Sequence, residues 1–189
     1  SRLVDDLMTL ARVDRPDFVR PAPTDVGRLT DDLLDTLLPL AERRWLVDAL
    51  ADTVADLDAQ RVTQAVVQLA ANAVRHSSDG STIAIGSAAD ADGTCHFWVR
   101  DEGEGIAPEE QARIFDRFHR GAARDDSEGS GIGLSIVSVI AAAHGGAVTV
   151  RSRPGDGATC TITSPGRTRP RTASTGAELL HARDNERKN

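Results

Sequence analysis

The chain has 189 residues, 40% hydrophobic and 27% charged, with a net charge of −7, which is enough for one core of ordinary size. No apolar run approaches the roughly 20 residues that cross a bilayer, and the acidic balance argues against a nucleic-acid surface, whose footprint is basic. Cys95 and Cys160 fall in separate strand-like runs with neither zinc spacing nor a disulfide framework, so both are expected as buried free thiols.

Leu3, Leu7 and Leu10 recur at helical spacing, with Val4, Met8 and Ala11 beside them, which predicts a first helix to about Asp14. Pro16, Pro21 and Pro23 then force an extended linker or an edge strand. Thr24 or Asp25 can cap a second helix toward Arg44, with Leu29, Leu33, Leu37 and Leu40 on one face. Pro39 lies inside that pattern and should kink or end it. Residues 45–51 and 53–55 read as short strands.

Asp56 or Asp58 opens the next helix. At about 100° per residue, Val62, Val66, Leu69 and Ala73 form its buried stripe, and Gln68, Asn72, Arg75 and His76 form a polar stripe directly beside it. Strands are expected over 82–88 and 94–100, around a turn holding Asp90, Asp92 and Gly93. Asp101-Glu102-Gly103-Glu104-Gly105-Ile106 follows, and Pro108 opens a short helix through Ile114. Residues 121–130 lack periodicity and read as a loop. Gly129-Ser130-Gly131-Ile132-Gly133-Leu134 then leads into a helix over 131–144, with Ile132, Ile136, Val139, Ile140 and Ala143 as its apolar stripe. A hairpin over 148–153 and 159–163 turns at Gly155 and Gly157. Pro, Thr, Ser and Arg dominate from Pro165 on, predicting a disordered tail. Residues 166–189 carry six Lys/Arg against three Asp/Glu, so the tail is +3.

Glycines let the backbone approach a ligand closely, and a glycine-rich turn that opens a helix aims N–H groups and a positive dipole end at phosphate. Two such clusters, preceded by a polar helix stripe, describe a nucleotide pocket. The second cluster is no Walker A loop, because no Lys-Ser or Lys-Thr follows it. Nor is it a dinucleotide fingerprint, since the spacing is G-x-G-x-G without a surrounding βαβ repeat.

The order of these blocks resembles the ATP-binding catalytic domain of sensor histidine kinases, within a wider ATPase group that includes gyrase, Hsp90 and MutL. Residues 68–76 resemble its N box, 101–106 its first glycine box, 114–120 its F box and 129–134 its second glycine box. Gly155-Asp156-Gly157-Ala158-Thr159 resembles its closing glycine turn. The resemblance implies a two-layer α/β sandwich with a mixed sheet, bearing a short N-terminal helix stub. It implies ATP and Mg²⁺, with Asn72 as metal ligand and Gln68 in place of the more usual Asn. Arg75 would face the phosphates, and His76 would either stack near the nucleotide or remain a surface histidine. Asp101 would accept from the adenine amino group, with Gly103, Gly105 and Ile106 beside it. Gly129, Ser130, Gly131, Ile132, Gly133 and Leu134 would cradle phosphate, Thr159 would line the pocket, and Arg120 would reach the γ-phosphate. Phe115 and Phe118 would anchor the lid, and Arg124 reads as a solvated charge.

On this resemblance the expected organisation is a dimerisation-helix end at 1–14, a linker or edge strand at 15–24, the catalytic domain at 25–165 and the tail at 166–189. None of His76, His96, His119, His144 or His181 stands in a phosphoacceptor box. The chain, which opens on Ser1 without an initiator Met, reads as a cytoplasmic fragment that is monomeric or weakly dimeric. Its implied partners are a histidine-bearing dimerisation domain and a response regulator, with no nucleic acid and no membrane contact. A serine kinase of the anti-sigma type and a non-catalytic half of a split kinase are the alternatives.

Overall fold

The computed structural model describes residues 8–11, 15, 17–116, 132–166 and 168–170. Among the described residues, strands β1 (Ala22–Asp25), β2 (Arg44–Ala49), β3 (Thr53–Leu57), β4 (Thr82–Ala89), β5 (Cys95–Asp101), β6 (Val148–Ser152), β7 (Ala158–Ser164) and β8 (Thr168–Pro170) alternate with helices. The helices are α1 (Val26–Leu37), α2 (Ala59–Arg75), the single turn α3 (Pro108–Gln111) and α4 (Gly133–Ala143). The main sheet has five strands in the order β2-β4-β5-β7-β6, and a second sheet has the order β1-β3-β8. Only the β2–β4 pair of the main sheet is parallel, so that sheet is mixed, as expected.

One layer of helices covers this sheet. α1 lies over β4 and β2, α2 over β5 and β4, and α4 over β7 and β6, with α2 and α4 packed side by side. Successive strand residues point to opposite faces. Ile83, Ile85, Phe97, Val99, Cys160 and Ile162 therefore turn inward, and they meet Val62, Val66, Leu69 and Ala73 of α2 and Ile136 and Ile140 of α4. The α2 stripe is the one that its periodicity predicts. On α4 the buried face is rotated from expectation: Val137 and Ala141 are buried while Val139 and Ala143 are only partly so.

Local chemistry sets the ends of the elements. Asp25 caps α1 by accepting from the Arg28 N–H at 3.0 Å, and Pro39 sits in the 3₁₀ turn Leu38–Leu40 that ends the helix well before Arg44. Asp58, rather than Asp56, caps α2 by accepting from the Arg61 N–H at 3.0 Å. The proline-rich stretch supplies an edge strand, β1, antiparallel to β3. Residues 8–11 are helical. The Gln64 Nε2 amide of α2 donates to Thr9 Oγ1 at 2.9 Å, and the Arg61 guanidinium lies 4.4 Å from the centre of the Phe18 ring.

One boundary departs from expectation. Thr168–Pro170, inside the stretch read as a disordered tail from residue 166, pairs antiparallel with Thr53–Ala55. Pairing at a free sheet edge needs only backbone groups, so tail-like composition did not reveal it. Residues 171–189 and the rest of the expected first helix lie outside the described residues. Among the described residues, no helix is long and apolar enough to cross a membrane.

Candidate nucleotide site

The site is built where β5 ends. Inward alternation along β5 buries Asp101 to 9% exposure at its last position. The Asp101 Oδ1 oxygen accepts from the Gly103 N–H at 2.8 Å and the Ala158 N–H at 3.3 Å. Its Oδ2 has no such partner among the described residues. Burial pushes this carboxyl above its ordinary value, while the two backbone N–H groups pull it back.

The segment after Asp101 threads between the end of α2 and the β6–β7 turn. On the α2 side, the Glu104 N–H donates to the His76 carbonyl at 3.3 Å, and His76 Nδ1 lies 3.1 Å from Glu104 Oε1. A Cβ on Gly103 would strike that same His76 carbonyl, so only glycine fits. On the other side, the Gly155 N–H donates to the Glu104 carbonyl at 2.8 Å, and the Ile106 N–H donates to Ser152 Oγ at 2.8 Å. Gly105 has a φ of 74° and packs on Arg153. The Gln111 amide closes the arrangement by donating to the Ile106 and Ser152 carbonyls at 2.9 and 3.0 Å.

α2 brings its polar stripe along one side of this loop. Gln68, Asn72 and Arg75 sit three and four residues apart, hence on one helix face, and the His76 N–H donates to the Asn72 carbonyl at 3.1 Å. Asn72 is half-buried and its side-chain amide has no partner among the described residues. Arg75 is exposed. Gln68 approaches the start of α4, where a Cβ on Gly133 would stand 2.7 Å from Gln68 Oε1. Among the described residues no side chain caps the N-terminus of α4, and a helix N-terminus is where an anion would be received. Ile132 is buried in the core and Leu134 is half-buried, so these two offer backbone to the site more than side chain.

Thr159 does not join this set. It pairs in register with Arg100 and Arg151, one residue out of phase with Asp101, and so belongs to the opposite face of the sheet. The residue paired with Asp101 is Ala158. Gly157, with a φ of 74°, turns the chain tightly against the Asp101 carbonyl. The motif order drew attention to this turn, but a one-residue register decides which side chain faces inward. Glu104, inside the 101–106 motif but given no role by it, also builds the loop, as do Ser152 and Gln111, which carry no sequence signal because their partners lie on other elements. Arg120, Gly129, Ser130, Gly131, Phe118 and Arg124 lie outside the described residues. Phe115 packs against the core, as expected.

Both cysteines are free and buried. Burial raises the Cys95 thiol, and burial together with the nearby Asp101 charge pushes Cys160 up to about 12.

Residues 57–168 match the family model described as histidine kinase-, DNA gyrase B- and HSP90-like ATPase. The chain is 37% identical over 159 residues to the probable sensor histidine kinase TcrY of Mycobacterium tuberculosis, covering 82% of this chain and 33% of that protein. It is 41% identical over 178 residues to the sensor-like histidine kinase SenX3 of the same species, covering 87% of this chain and 42% of the relative. The chain thus spans well under half the length of these relatives. Among solved structures, full-length ShkA in complex with AMPPNP superposes with a TM-score of 0.75 at 31% identity, over 89% of this chain and 36% of that one.

Proposed function

Because the chain belongs to the histidine kinase-, DNA gyrase B- and HSP90-like ATPase family, we propose that it is the ATP-binding kinase domain of a two-component sensor histidine kinase. In the intact protein it would transfer the ATP γ-phosphate to a histidine on a dimerisation domain, for relay to a response regulator. The observation that carries this reading is Asp101: a buried carboxylate fixed through one oxygen by two backbone N–H groups, beside a glycine loop and a polar helix stripe. Its remaining oxygen suits the exocyclic amine of adenine, whereas guanine would present a carbonyl there and be repelled.

Gly103, Gly105 and Ile106 would wall the base, His76 would stack near it, and the N-terminus of α4 with Gly129–Leu134 would receive the phosphates. Gln68, Arg75 and Arg120 would act at the phosphate end, where positioning and charge neutralisation supply most of the rate. The donor set fits Mg²⁺. Among the described residues no cluster of three His, Cys, Asp or Glu side chains stands ready for a metal. From its half-buried place on the polar stripe, Asn72 would contribute a neutral oxygen, with phosphate and water completing the shell, as suits a cation that keeps its waters. Mg²⁺ would screen phosphate charge. Transfer would use no covalent nucleophile from this chain. A cytoplasmic setting follows from an ATP substrate. The names of the relatives favour this reading over a serine kinase.

Calorimetry with ATP, ADP and GTP, with and without Mg²⁺, tests the proposal. Adenine-selective binding should be lost in Asp101→Ala, and its Mg²⁺ dependence should be lost in Asn72→Ala. A folded wild-type chain that binds no adenine nucleotide would overturn it.

A further inference from the structure

Arg43 lies in none of the motifs, between the 3₁₀ turn and β2, yet its side chain is only 6% exposed. Its guanidinium makes five hydrogen bonds. Nη2 donates to the Val74 carbonyl at 3.2 Å and the Ser77 carbonyl at 3.1 Å, and Nε donates to Ser77 Oγ at 3.4 Å. Nη1 donates to the Glu42 carbonyl at 3.1 Å and to Asp79 Oδ1 at 2.6 Å.

These contacts answer a defect in α2. The last carbonyls of a helix lack partners, and a glycine in the left-handed conformation just past the end commonly satisfies them. Here the residue after the His76 cap is Ser77, and the first positive-φ glycine is Gly80. Arg43 reaches across from the sheet edge instead. It brings a positive charge to the negative end of the helix dipole, and its Nη2 donates to two carbonyls there at once.

The end held in this way is the part of α2 that meets the glycine loop. The His76 carbonyl accepts from the Glu104 N–H at 3.3 Å, and Gly103 fits against the same carbonyl. We propose that Arg43 is a positioning residue for the nucleotide site: it seats the α2 C-terminus and, through His76, sets the placement of the loop that follows Asp101. The inference rests on the nucleotide reading above. Asp79 is 99% exposed, so the contacts that matter are those to Val74 and Ser77.

The test compares Arg43→Met, Arg43→Lys, Asp79→Asn and, as a control destabilised at a distant helix cap, Asp25→Ala. Two readouts are taken on the chain as it stands: amide exchange at Glu104 without nucleotide, and ATP·Mg²⁺ affinity by calorimetry. In a folded Arg43→Met protein, Glu104 exchange should quicken about tenfold and affinity should fall about tenfold. Arg43→Lys should recover part of both, while Asp79→Asn and Asp25→Ala should match wild type in both. Unchanged Glu104 exchange in Arg43→Met, or equal losses in Asp25→Ala, would overturn the proposal. If Arg43→Met does not fold, Arg43→Lys decides: an intermediate Glu104 exchange supports it and a wild-type value overturns it. Failure of the wild type to bind nucleotide would count against the nucleotide reading alone, because the exchange measurement needs no ligand.

Discussion

Asp101 is held in a position that suits a ligand better than it suits the fold. Burial raises its pKa above the ordinary 3.8, so the native state holds the proton more tightly than the unfolded chain does. Ionisation then removes stability as pH climbs through the raised folded value, and the full penalty remains at neutral pH. Asp101→Asn should therefore melt higher than wild type at pH 7. The gap should close as pH falls toward 3.8, as thermal melts across that range would show. The same variant should bind ATP at least about tenfold more weakly, because a charge-assisted hydrogen bond is lost. Cys160 makes a second residue-scale case. A thiol at about 12 has almost no thiolate at pH 8, so Ellman's reagent should leave it untouched until the chain unfolds. Gly133→Ala should weaken nucleotide binding, since the new methyl would press on Gln68 Oε1 beside the α4 N-terminus.

At the scale of elements, α2 is fastened at both ends by groups from elsewhere. Its N-cap Asp58 accepts from the Arg61 N–H through Oδ1 and from the Arg20 N–H at 2.9 Å through Oδ2. The Asp58 N–H in turn donates to His144 Nε2 at 3.1 Å, at the C-terminal end of α4. His144 Nδ1 lies 2.8 Å from the Ile140 carbonyl, so the ring is read as the neutral tautomer with its proton on Nδ1. Asp58→Ala should cost about 1–2 kcal/mol in denaturant unfolding and leave ATP affinity nearly unchanged, because the site lies at the other end of the helix. Arg43 grips that other end, and the two helix ends therefore separate a stability role from a binding role.

For the whole molecule, the core between sheet and helices is what holds Asp101, the α2 stripe and the α4 N-terminus at one edge. Phe97, only 1% exposed on the inward face of β5, sits at its centre. Phe97→Ala should lose about 3–5 kcal/mol of unfolding free energy, read by chemical denaturation, and nucleotide affinity should persist in the fraction that remains folded.

Much of this arrangement was legible in the amino-acid order. The apolar period of α2 gave its buried stripe and thereby the polar stripe of Gln68, Asn72, Arg75 and His76. Cap residues and Pro39 marked the helix ends, and the first glycine cluster marked the loop after β5. Each is a local property, settled by residues within a turn or two of one another. The pairing of Ala158 rather than Thr159 with Asp101, the strand at Thr168–Pro170 and the reach of Arg43 to α2 were not legible. Strand register and contacts between elements depend on which segments become neighbours, and the packing of the shared core decides that.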